Sequence, residues 1–182
     1  WTVSEQILQD DPWSGVDLAF RIDRSLPRSV PRHELRTLIN HLRSKAEIPL
    51  SIDPKIPIRR PAEATTLLAA ALMIATGLRV GELVTIRIGD IDIEDQTIRV
   101  LGKGRRERIV FLPSDWLCNL VRAYLISRNE HGIDHSQLLF DRAGSQLTTA
   151  AVRARLRRSG ELAGLERRVT PHMLRHSAAT QL

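Results

Sequence analysis

Near the C-terminus, His172 and Arg175 stand three residues apart in the stretch Thr170-Pro171-His172-Met173-Leu174-Arg175-His176. On a helix that spacing sets an imidazole and a guanidinium on one face, within reach of a single ligand. Thr170 has the chemistry of an N-cap, and Pro171 suits a first helical residue, where a missing N–H costs nothing. A helix started there places unpaired backbone donors and a partial positive charge beside both side chains, so an anion is the natural guest. Two other stretches offer matching groups. Arg79 stands at the corner Gly77-Leu78-Arg79-Val80-Gly81-Glu82, and Lys103 lies in the turn Gly102-Lys103-Gly104. Two arginines can hold the non-bridging oxygens of a phosphodiester and offset the charge of a five-coordinate transition state. A lysine can protonate a departing alkoxide, and a histidine can orient or shuttle a proton. Together these groups could transfer a phosphoryl group without a metal.

The elements that must position them can be read from periodicity. Leu35, Leu38, Ile39 and Leu42 follow helical spacing from Arg32 to about Lys45. Residues 48–61 carry four prolines and form a connection of unusual length for a compact domain. Pro61 opens a helix that runs to Thr76 and is apolar on nearly all sides after its first turn, which belongs in a core. Gly77 is its expected C-cap, and a short helix begins at once after it, fixing Arg79 at the corner. Residues 90–95 read as an acidic turn. Thr97 to Leu101 and Arg108 to Leu112 alternate as two strands of a hairpin around the turn that holds Lys103. Ser114 caps a helix with the inward stripe Leu117, Leu120, Val121, Tyr124 and Leu125, reaching about Glu130. Leu138-Leu139-Phe140 is a short strand or extended piece. Thr148 and Thr149 can cap a further helix whose Val152 and Leu156 face inward. The fold class expected is α+β, mostly helical with one small antiparallel sheet.

Composition narrows the partners. The 182 residues carry a net charge of +6, and 24 of the 27 cationic side chains are arginine, the better residue for bidentate phosphate contact. Residues 151–182 contain seven arginines against two glutamates. Arg105, Arg106, Arg153 and Arg157 are therefore candidate DNA contacts, with affinity that falls steeply with salt. The single cysteine, Cys118, excludes an internal disulfide and a cysteine-based zinc cluster. His33, His41, His131 and His135 have no metal-ligand partners at suitable spacing, so no metal site is expected. The longest uncharged run, residues 64–78, is too short to span a bilayer, and early acidic residues argue against a signal peptide. The expected location is cytoplasmic.

The three stretches together resemble the signature blocks of the tyrosine recombinase, or phage integrase, family. They are Thr76-Gly77-Leu78-Arg79-Val80-Gly81-Glu82-Leu83, then Gly102-Lys103-Gly104-Arg105-Arg106-Glu107-Arg108, then the run from Thr170 to Thr180. They occur in the family's order, 24 residues from Arg79 to Lys103 and 69 from Lys103 to His172. The resemblance implies a DNA strand-cleaving and rejoining enzyme that works through a 3′-phosphotyrosyl bond. In it Arg79 and Arg175 would hold the scissile phosphate, and Lys103 would protonate the 5′-oxygen leaving group. His172 would be the histidine of the His-x-x-Arg element, and Glu82 would orient an arginine. Neither metal nor small-molecule cofactor is implied. The implied partners are double-stranded DNA and, at full length, other recombinase protomers in a synaptic tetramer.

The sequence also departs from the family. The expected tyrosine nucleophile lies beyond the His-x-x-Arg helix, and Tyr124, the one tyrosine present, sits in the apolar stripe of a mid-chain helix. The chain is thus expected to lack its nucleophile and to be inactive as it stands. Residues 1–24 read as an arm, linker or remnant of a preceding core-binding domain, and residues 25–182 as the catalytic domain without its C-terminal part. The alternative is a non-cleaving DNA-binding or regulatory remnant that uses the same surface.

Overall fold

Helix α2 (Pro61–Thr76) is the element on which the others pack. The computed structural model describes residues 29–102, 104 and 106–181, and α2 runs through their middle. Ala64, Leu67, Leu68, Ala69, Ala70, Leu72 and Met73 are all buried, on every side of the helix. Burying each leucine contributes about 2 kcal/mol. Its buried Thr65 is satisfied internally: the hydroxyl donates to the Pro61 carbonyl at 3.1 Å and meets the Tyr124 hydroxyl at 2.5 Å. Pro61 occupies the first turn, and Gly77 closes the helix in the left-handed region at φ 66°, its N–H donating to Met73 O at 3.1 Å. A side chain there would be strained.

Around this axis lie α1 (Arg32–Lys45), α4 (Asp115–Glu130), α5 (Thr149–Leu162) and α6 (Pro171–Gln181). The local signals held. Ser114 Oγ accepts from Leu117 N at 3.3 Å, and Thr148 Oγ1 accepts from Ala151 N at 3.1 Å. The long proline-bearing connection between α1 and α2 stays compact because Ile48, Ile52 and Ile58 are buried, and Ile58 N donates to Ser127 Oγ on α4 at 2.5 Å.

Short helix α3 (Val80–Thr85) and a 3-10 turn at Ile88–Asp90 lead into an antiparallel sheet of β1 (Ile91–Asp92), β2 (Thr97–Leu101) and β3 (Glu107–Phe111), in that order across the sheet. The register pairs Ile91 with Ile98, Ile98 with Val110, and Val100 with Arg108. Ile98 and Val100 face the core, whereas Leu101, Ile109 and Phe111 are exposed. One expectation changes here: the acidic stretch 90–95 contains strand β1, which gives no periodic signal because it is two residues long and half acidic. Of the two forms expected for Leu138-Leu139-Phe140, the regular strand is not the one found; the segment is buried and tied by isolated bridges, Arg87 with Gln137 and Phe140 with Gln146. Among the described residues no helix is long and apolar enough to cross a membrane. The proposed arm of residues 1–24 lies outside the described residues.

A basic hollow as candidate functional site

The end of α2 sets the first group. Gly77 turns the chain, buried Leu78 anchors it, and Arg79 becomes the N-cap residue of α3 with extended backbone. Its N–H donates to Glu82 Oε2 at 2.8 Å, and its Nη1 donates to Glu82 Oε1 at 3.2 Å. The guanidinium remains 63% exposed while the carboxylate is only 7% exposed. Glu82 also takes a second arginine. Arg108, on β3, donates in bidentate fashion, Nη1 to Oε1 at 2.9 Å and Nη2 to Oε2 at 2.8 Å. The Arg108 hydrogen bonds, opposed by burial and helped by Arg79, hold the Glu82 carboxyl down at about 2 from an ordinary 4.5. The same carboxylate raises the pKa of Arg108.

Helix α6 brings the second set. Thr170 Oγ1 accepts from Met173 N at 3.4 Å, as an N-cap should, with Pro171 as the first helical residue. Leu174 and Ser177 turn into the core. The Ser177 hydroxyl donates to Met173 O and lies 2.9 Å from the N–H of Val30, which pins the helix to the start of the described chain. The segment leading into α6 is seated closely on α5: a Cβ on Gly160 would lie 2.8 Å from Val169 Cγ2, a distance only glycine avoids. With α6 so fixed, His172 and Arg175 point into a hollow of about 630 Å³ that Arg79 shares.

Arg153 and Arg168 also line this hollow, as does His176, whose Nε2 is 3.2 Å from that of His172. Among the described residues lining it there are four arginines and no carboxylate. Arg175 is the most confined of them. Burial lowers its pKa first, repulsion from Arg79 and Arg108 adds to this, and Glu82 partly offsets it. The guanidinium still stays protonated in water of any ordinary pH. Its Nη1 is buried with no hydrogen-bond partner among the described residues. A buried charged donor left unpaired costs on the order of 1–3 kcal/mol, so the site is built to receive an acceptor.

Of the residues singled out from sequence, Arg79, His172, Arg175 and Arg153 meet in one place. Glu82 stands behind them and accepts from Arg79 Nη1. Lys103 and Arg105 lie outside the described residues. Their flanks are placed: Gly102 N donates to Arg106 O at 2.8 Å, and a Cβ on Gly102 would be 3.5 Å from Arg108 Nη1. Arg106 is exposed away from the hollow, and Arg157 lies on the outer face of α5 with its Nε 3.8 Å from Glu161. Tyr124 is fully buried, tilted against Phe140 at 5.3 Å, and burial pushes its hydroxyl well above the usual tyrosine range. It is a core residue and does not line the hollow. No cluster of three or more metal-ligating side chains occurs among the described residues.

Three residues in or behind the hollow were not singled out from sequence: His176, Arg168 and Arg108. Arg108 carried a usable signal. It shares strand parity with Val110 on the inward side of β3, and an arginine at an inward position needs a carboxylate partner. Arg168 carried none, because its place in the hollow depends on how the α5 to α6 connection folds back.

Tyrosine recombinase XerC of Haemophilus ducreyi is 30% identical over 182 residues, all of this chain and 54% of that protein. The chain thus spans about half the length of the curated relatives it matches. Among solved structures, the XerA recombinase superposes with a TM-score of 0.71 at 26% identity, over 87% of this chain and 52% of that one. The XerH site-specific recombinase, in a pre-cleavage complex with its difH substrate, gives a TM-score of 0.67 at 28% identity, over 87% of this chain and 43% of that one. Residues 30–182, which include every described part of the hollow, match the Phage integrase family. The chain belongs to that family.

Proposed function

We propose that the hollow binds the scissile phosphodiester of duplex DNA and stabilises its transfer to a tyrosine during site-specific recombination. The observation that carries this reading is the buried Nη1 of Arg175, without a hydrogen-bond partner among the described residues, in a cavity whose described lining holds four arginines and no carboxylate. Arg79 and Arg175 hold the two non-bridging oxygens, and His172 donates a further hydrogen bond to the phosphoryl group. The tyrosine oxygen attacks phosphorus and releases its proton to solvent, the P–O5′ bond breaks, and Lys103 gives its own proton to the departing 5′-oxygen. Rejoining reverses these steps with a 5′-hydroxyl from another strand. Arg105, Arg106, Arg153 and Arg157 hold the flanking backbone by charge. The reaction needs no metal or small-molecule cofactor, and a DNA substrate puts it in the cytoplasm.

The attacking tyrosine comes from outside these 182 residues, because Tyr124 is locked in the core and its acidity is suppressed by burial. Recombination in full requires further protomers, in the manner of a synaptic tetramer. The burial of Tyr124 also favours a second reading for the 182 residues taken alone, a DNA-binding module that does not cut.

The two readings separate in one experiment. The full-length protein is offered a nicked suicide duplex carrying a site selected for binding from a random library. A denaturant-resistant protein–DNA adduct supports cleavage, and Arg175→Ala should remove the adduct by on the order of 100-fold or more while sparing gel-shift binding. Binding with no adduct from the intact protein leaves only the non-cleaving reading.

A further inference from the structure

Glu82 presents one carboxylate to two guanidiniums, and they do not share it equally. Arg108 takes both oxygens at 2.8 and 2.9 Å, whereas the side chain of Arg79 makes one longer contact at 3.2 Å. Bidentate arginine pairing is the stronger arrangement by both charge and geometry. Glu82 has little freedom to turn elsewhere, since it is 7% exposed and also accepts from the Arg79 backbone N–H at 2.8 Å.

Without Arg108, the cation among the described residues that still pairs with the carboxylate is Arg79 itself, only three residues along the chain. A buried carboxylate facing one arginine would close on it, and the phosphate would then have to compete with an internal anion for that guanidinium. With Arg108 in place, the group of Arg79, Arg108, Arg175 and Glu82 keeps two net positive charges, and the Arg79 guanidinium stays open to the hollow.

We infer that Arg108 is a positioning residue for the reaction proposed above, saturating Glu82 so that Arg79 remains available to the phosphate. It does not itself line the hollow. Because the effect runs through the Glu82 charge, it makes a prediction whose sign a purely structural role does not share. Removing the carboxylate should relieve the loss of Arg108.

The test is a double-mutant cycle in the full-length protein, reading the rate of covalent adduct formation on the selected suicide duplex. Arg108→Gln should slow adduct formation by on the order of 100-fold, the scale of a lost phosphate contact. Adding Glu82→Gln, which keeps an acceptor for the Arg79 N–H but no charge, should restore at least about tenfold of that. Arg108→Lys, which keeps the cation, should stay within about tenfold of the unmodified protein. If Arg108→Gln alone does not fold, the other side of the cycle decides: in the Glu82→Gln background, Arg108→Gln should change the rate by less than about threefold. A double variant no faster than Arg108→Gln, or an undiminished cost of Arg108→Gln in the Glu82→Gln background, overturns the assignment. Absence of adduct from the unmodified protein refutes the proposed reaction instead, a separate outcome.

Discussion

Replacing Glu82 by Gln tests the electrostatics of the site through stability alone. The native carboxyl titrates at about 2, against 4.5 for an ordinary glutamate. At about 1.4 kcal/mol for each pH unit, that displacement corresponds to an upper figure of about 3 kcal/mol. Arg108 is 39% and Arg79 63% exposed, so water screens part of the attraction and about 2 kcal/mol should remain. The sign follows from the lowered native value. Above the ordinary value of 4.5 the carboxylate is ionised in both states, and its stabilisation is complete. As the pH falls toward 2 the unfolded chain takes up the proton first, and the advantage is lost. Urea unfolding of the native protein and of Glu82→Gln, followed by far-UV circular dichroism from pH 7 down to pH ~3, measures this directly. The gap should be about 2 kcal/mol and flat from pH ~7 to ~5, then narrow steadily below ~4.5. A gap that is independent of pH, or one below about 0.5 kcal/mol at neutrality, would refute the account of Glu82 as an ionised hub between two arginines.

Two more outcomes are expected elsewhere. Tyr124→Phe removes the hydroxyl that meets Thr65 at 2.5 Å, but Thr65 keeps its bond to Pro61. Thermal unfolding should show a loss of about 1 kcal/mol, and adduct formation by the full-length protein should be unchanged; a lost adduct with an intact melt would make Tyr124 the nucleophile after all. Arg168→Gln removes a cation from the hollow wall, so the dependence of log affinity on log salt should become shallower by about 1 for any duplex. Fluorescence anisotropy across a salt series checks this, and an unaltered slope would mean that Arg168 makes no phosphate contact.

Relatively little of the scaffold was hidden in the chain. Pro61, Gly77, Ser114, Thr148 and Thr170 act within a turn of their own positions, so cap chemistry marked the helix ends with little error. The unbroken apolar run of α2 likewise announced a central helix, because no other environment accepts it. Strand β1 was missed for the opposite reason: its two residues pair with Ile98 and Thr97, and that partnership, more than any propensity, makes it a strand.

The site divides along the same line. Sequence by itself determined which side chains could handle a phosphate, since Arg79, His172 and Arg175 sit at helix starts whose geometry is local. Only the tertiary structure decided that they open into one cavity, that Arg153 and Arg168 join them, and that Arg157 does not. It alone disclosed that Glu82 answers first to Arg108, 26 residues away across the hairpin. Such a bond depends on the register of a strand against a helix, and a pair so far apart leaves no periodic trace along the chain.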